Sequence, residues 1–96
     1  MKLLLVIYSG STPGRVTDLL DRLPVEGYTE IDRAHGAGRT GRRLGTRAWP
    51  GESTVLFTLV RAEDVLTITR AISVEAKTLP EGERLHLAVL PVETVL

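Results

Sequence analysis

Between His35 and Glu52 the chain reads HGAGRTGRRLGTRAWPGE, a passage with five glycines, four arginines, a lone tryptophan and no apolar periodicity. Guanidinium forks bind two oxygens of a phosphate or carboxylate at once, and the backbone amides of a glycine-rich loop add further donors. By composition, then, this is an anion-binding loop. From Arg33 to Arg47 there are five arginines and no acid, whereas the rest of the 96 residues carries seven basic and twelve acidic side chains. A basic loop sits on an acidic body, although the net charge is zero. The same composition also suits a loop that is merely solvated. Trp49, beside Pro50, either pins the base of the loop to the body or stacks on a ligand or partner.

Other chemistries are weaker. Gly36, Gly38 and Gly41 spell GxGxxG, but a dinucleotide site needs those glycines to open a helix, and Gly45 and Pro50 would break any helix begun there. The glycines read instead as positions of positive φ in a long, mobile connection between strands. His35 and His86 are the two histidines, and neither has carboxylates at metal-ligand spacing. His35 is the one metal candidate, between copies of the chain; His86, between Leu85 and Leu87, reads as a residue filling a strand face. No serine, histidine and acid constellation is visible, so no enzyme is expected. The absence of cysteine excludes disulfides and thiolate sites. Only four aromatic residues occur, too few for the stacking surface of an RNA-binding sheet, and no nucleic acid partner is expected.

The loop must hang on a small body. Lys2 to Tyr8 is a continuous apolar run of the kind found in a central strand, too short for a signal peptide or membrane span. A cytoplasmic protein is expected, not embedded in a membrane. Ser11 or Thr12 is placed to cap a helix whose stripe is Val16, Leu19, Leu20 and Leu23, stopped by Pro24 and Gly27. Tyr28 to Arg33 reads as a second strand and Ser53 to Val60 as a third. Ala62, Val65, Ile68 or Thr69, Ile72 and Ala76 stripe a second helix, and Leu85 to Leu90 closes the chain as a fourth strand. Two right-handed β-α-β crossovers then give an α+β, ferredoxin-like βαββαβ sandwich: a four-stranded antiparallel sheet with two helices on one face.

That arrangement leaves a sheet face bare. Val55, Phe57 and Leu59 point one way and Leu56 and Val60 the other, and the expectation is that Leu56 and Val60 lie on the open side. A domain of this size has a thin stability margin, so burial of that face against further copies is expected. A closed ring, a homotrimer, is the simplest outcome.

In two places the residues resemble the PII-type nitrogen regulatory proteins and their PII-like relatives. Gly36-Ala37-Gly38-Arg39-Thr40 is similar to the start of the PII T-loop, and Glu83-Arg84-Leu85 through Leu90-Pro91-Val92-Glu93 is similar to the segment running from the B-loop lysine to the family's VLPVE. The resemblance implies one PII-like domain over residues 1–96, with a T-loop-like connection at about 34–52. It also implies an ATP, ADP or AMP effector held between subunits by Gly36, Gly38, Arg39 and Thr40 on one side and Arg84 on the other, with no required cofactor. Arg42, Arg43, Arg47 and Trp49 would meet a regulated transporter or enzyme. Glu81 and Glu83 stand where the family's B-loop receives phosphate, and are expected to repel a polyphosphate in favour of a mononucleotide or simple anion. A divalent-metal-responsive protein using His35, and a purely structural oligomer, are the alternatives.

Overall fold

The computed structural model describes residues 1–38, 41–43 and 52–96, with the backbone alone described for 38 and 41–43. Strand β1 (Lys2–Ser9) leads to helix α1 (Gly14–Asp21), strands β2 (Thr29–Gly38), β3 (Gly41–Arg43) and β4 (Glu52–Val60), a 3₁₀ turn (Ala62–Asp64), helix α2 (Val65–Lys77) and strand β5 (Arg84–Pro91). The sheet order is β3-β2-β4-β1-β5, and every pairing is antiparallel. The four long strands and two helices make the expected ferredoxin-like α+β sandwich, with β3 added as a short hairpin partner of β2. Gly36 to Gly38 therefore belong to a strand, where the composition points to a loop from residue 34 onward.

Helix α1 buries Val16, Leu19 and Leu20, three positions of the expected stripe. Its end tightens: the Arg22 amide bonds to the Leu19 carbonyl and the Leu23 amide to the Leu20 carbonyl, both at 3.1 Å. These i to i−3 bonds satisfy the last carbonyls before Pro24, which cannot extend a helix. Leu23 thus falls beyond the helix and packs partly against the core. Helix α2 buries Ile68 and Ile72 against the same side of the sheet. Arg15 fastens the two helices: its guanidinium pairs with Glu75 and donates to the Thr78 hydroxyl at 2.6 Å and the Thr78 carbonyl at 3.2 Å.

The core consists of Leu4, Val6 and Tyr8 of β1, Leu56 and Val60 of β4, and these helix residues. Leu56 is 0% exposed and Val60 3%, so they face the helices, contrary to the expectation that they line the open side. Register decides it: Val6 pairs with Leu56 and Lys2 with Val60, and directly paired residues share a face. The open face carries Leu3, Leu5 and Ile7 of β1 beside Leu59, Phe57 and Val55 of β4. Because both sides of β4 are apolar, its own pattern could not orient it. The helix side even holds the more polar set, Thr54 and Thr58, the latter donating its hydroxyl to the Gly27 carbonyl.

Candidate functional site

Three connections meet at the end of the sheet where β1 stops and β4 begins. The first is the β1–α1 turn, Gly10 to Pro13. Neither Ser11 nor Thr12 caps α1, whose flanking residue is Pro13 with no side-chain cap. Their polar groups are engaged elsewhere. The Thr12 amide donates to the Tyr8 hydroxyl oxygen at 3.0 Å, while the Ser11 amide and hydroxyl donate to Glu83 Oε2 at 3.3 and 3.1 Å. The Tyr8 hydroxyl itself donates to Glu83 Oε1 at 2.7 Å.

The second connection, Pro80 to Glu83, delivers that carboxylate. The Glu83 amide closes the turn on the Pro80 carbonyl at 3.1 Å, and Gly82 takes φ 88°, the left-handed conformation that glycine adopts at the third place of a type II turn. Burial acts to raise the Glu83 carboxyl, but the hydrogen bonds from Tyr8 and Ser11, with Arg15 nearby, leave it below its ordinary range. Burial and the bond to Glu83 push the Tyr8 phenol up. Glu83 was expected to confront an incoming phosphate; its carboxylate is instead consumed inside the protein. Arg84 opens β5 opposite Ser9 and is exposed. Successive strand residues point to opposite faces, so Arg84 projects away from the side on which Glu83 meets Tyr8.

The third connection is the β2–β3 hairpin. Between the pairs Ile31–Val55 and Ala34–Ser53 the ladder takes three steps on β2 for two on β4, and within this bulge Arg33 adopts φ 60°. Beside it a groove of about 300 Å³ is lined by Gly10, Ser11, Asp32, Arg33, Glu52 and Thr54, among others. With two carboxylates to one guanidinium, this groove is not itself an anion site. Burial, and then the neighbouring Asp32, push the Glu30 carboxyl up. Ser9 and Ser53, both buried, share a hydroxyl hydrogen bond of 2.7 Å under this end of the sheet.

The candidate residues of the sequence are spread across this end of the sheet. Gly36 and Gly38 lie at the outer end of β2, paired with Arg43 and Gly41. Arg84 lies three strands away on β5, roughly 14 Å at the usual strand spacing. A single chain does not bring them together. Arg39, Thr40, Arg47 and Trp49 lie outside the described residues, as do the side chains of Arg42 and Arg43. His35 is exposed on β2 opposite Glu52, and among the described residues no group of three or more His, Asp or Glu could hold a metal ion. His86 sits on the open sheet face opposite Ile7. Tyr8, Gly10 and Ser11 do not stand out in the sequence: a tyrosine ending an apolar strand and a serine-glycine turn carry no mark of a partner 72 or 75 residues away. A second cavity, of about 400 Å³ between Leu23, Val25, Arg61 and Asp64, lies at the other end of the sheet and touches none of these residues. Among the described residues no helix is long and apolar enough to cross a membrane.

The sandwich, with a glycine-led hairpin and a structured turn before the last strand at one end, is a ferredoxin-like α+β domain. The chain belongs to the family described as Nitrogen regulatory protein P-II, whose model matches residues 1–95. It is similar to CPII, a nitrogen regulatory PII-like protein from Thiomonas intermedia K12. The structure of CPII bound to ADP, AMP and bicarbonate superposes with a TM-score of 0.67 at 22% identity, covering 99% of this chain and 94% of that one. For CPII bound to ADP and bicarbonate the TM-score is 0.66 at 25% identity, covering 93% and 86%. A DUF3240 family protein from Shewanella baltica OS155 superposes with a TM-score of 0.73 at 18% identity, covering 98% and 92%. No curated protein matches the chain.

Proposed function

We propose that this chain is a single-domain PII-like signalling protein that works as a cytoplasmic homotrimer, binds an adenine nucleotide at the boundary between subunits, and acts on a transporter or enzyme through the basic connection at 34–52. It binds and reports; it does not catalyse. The observation that carries the reading is the uncovered apolar face of Leu3, Leu5, Ile7, Val55, Phe57 and Leu59, with Arg84 on β5 at its upper end. An apolar face of this kind on a 96-residue chain calls for cover by further copies. Closure of a ring would bring the outer end of β2 of one subunit toward Arg84 of the next, a meeting that one chain does not make. The effector class is supported by CPII, whose structures hold ADP, AMP and bicarbonate.

In this reading Gly36, Gly38, Arg39 and Thr40 approach the effector from one subunit and Arg84 from its neighbour. The test is calorimetry with AMP, ADP and ATP at moderate salt, on protein whose trimeric state has been established by sedimentation. Arg39→Ala and Arg84→Ala should each weaken binding roughly ten- to hundredfold, the loss expected for one charge-assisted contact. A folded trimer that gives no heat with any of the three at millimolar concentration would exclude the nucleotide assignment.

A further inference from the structure

The Glu83 carboxylate receives donors from one short stretch of chain: the Tyr8 hydroxyl on one oxygen, the Ser11 amide and hydroxyl on the other. Tyr8 is oriented in turn by the Thr12 amide. A backbone amide, a hydroxyl and a phenol converging on two oxygens form a donor set of the sort proteins use for external oxyanions. Here the anion is part of the chain. Gly10 permits the close fit, since a Cβ there would stand 2.1 Å from the Tyr8 hydroxyl oxygen and 2.6 Å from Glu83 Oε1. Gly10 and Ser11 also form one wall of the 300 Å³ groove, which gives solvent a path to the turn. The other charged groups nearby are Arg15, engaged by Glu75, and the groove's Asp32, Arg33 and Glu52.

We propose that the β1–α1 turn is an oxyanion cradle kept filled by the protein's own Glu83, so that an external phosphate is refused there and left to Arg84 on the opposite face of β5. The cradle stands on its own geometry; the consequence for the effector rests on the nucleotide reading above. With the cradle closed, a second phosphate on this side of the turn meets, among the described residues, the carboxylates of Asp32 and Glu52 against the single guanidinium of Arg33. Glu83 thus sets specificity toward a short anion without touching the ligand.

The test removes the carboxylate and offers a substitute. In an Arg84→Ala background, which removes the anion contact proposed on β5, Glu83→Gly should lower the melting temperature, and acetate or inorganic phosphate should restore it saturably where chloride of equal ionic strength does not. The parent Arg84→Ala protein should show no such response. Equal responses of the double variant to acetate, phosphate and chloride would overturn the cradle. Should the double variant not fold, the amide resonance of Ser11 in the unaltered protein decides: it should track Glu83 protonation at acid pH and ignore phosphate at neutral pH. Movement with phosphate at neutral pH would show the cradle open and sink the proposal. In the Arg84-intact protein, Glu83→Gly should raise affinity for ADP relative to AMP by about tenfold or more, the worth of one charge-assisted contact. An unchanged ratio overturns the specificity role, whereas binding of neither nucleotide to the unaltered protein defeats the effector reading and leaves the acetate result to decide the cradle.

Discussion

The Tyr8 hydroxyl and the Glu83 carboxylate, 75 residues apart in sequence, meet at 2.7 Å and tie the end of β1 to the turn that leads into β5. The bond holds two of the three connections at the candidate site in fixed relation. Tyr8 is 1% exposed, so its hydroxyl has little access to water as an alternative partner. Tyr8→Phe removes both the donor to Glu83 and the acceptor of the Thr12 amide. A loss of about 1–3 kcal/mol in urea unfolding is expected; an unchanged midpoint would mean that the link is not held in solution.

The same link has a pH signature. Hydrogen bonding outweighs burial and depresses the Glu83 carboxyl, so the folded protein takes up its proton less readily than the unfolded chain, whose carboxyl titrates near 4.5. The stabilisation is complete above that value and is lost as pH falls through the lower folded value. Melting temperatures from about pH 6 to about pH 3 should fall less steeply in Glu83→Gln than in the unaltered protein. Parallel curves would remove Glu83 from the account of acid stability.

Two glycines should respond differently to alanine. At Gly10 the new methyl would lie 2.4 Å from the Tyr8 ring carbon and closer still to its oxygen, and overpacking of this kind costs about 1–3 kcal/mol. At Gly82 the space is open, and only the backbone at φ 88° resists, a cost of about 1 kcal/mol. Denaturant titration should rank Gly10→Ala as the more damaging, and should find it less harmful when Tyr8 is already phenylalanine.

Adjacent residues of β4 separate folding from assembly. Leu56→Asp places a charge in the core and should abolish cooperative folding, whereas Phe57→Asp places one on the open face and should leave a folded monomer. Circular dichroism with sedimentation distinguishes the two. A Phe57→Asp protein that remains oligomeric would move the subunit interface to another surface.

Arg42 and Arg43 lie on β3, paired with Ala37 and Gly36, and are assigned to the contact with a partner protein and not to the effector. Their replacement by alanine should leave nucleotide affinity within about twofold and weaken attachment to a partner protein in a salt-dependent way. Equal loss of nucleotide binding would place them in the effector site instead.

The order of elements could be read from apolar periodicity because each element here has one dominant face or a continuous apolar run, as in Val16, Leu19 and Leu20 of α1. Orientation of β4 could not. Its pattern is apolar on both sides, and the more apolar of them, Val55, Phe57 and Leu59, is the one the helices leave uncovered; only pairing with β1 resolves which is which. At the candidate site, Arg84 and the glycines were recognisable as residue types in a familiar order. Glu83 was visible as an acid at the place the family resemblance gives to a phosphate-binding turn, but its charge alone pointed to repulsion. That it satisfies Ser11 and Tyr8 depends on a contact across 72 and 75 residues, which local sequence does not encode. Nor does arginine's chemistry announce the left-handed backbone at Arg33, an uncommon conformation for any residue but glycine.

The irregularity at Arg33 works as a phase shift. Below it, Ile31 shares the open face with Val55; above it, Ala34 takes that face opposite Ser53 and His35 turns to the side of the helices. The remainder of β2, including the start of the arginine-rich connection, leaves the sheet half a period out of step with the strand that launches it. A loop exchanged between relatives is therefore interchangeable only together with its extra residue: cut below the bulge and rejoined without it, Ala34 and His35 would trade faces of the sheet.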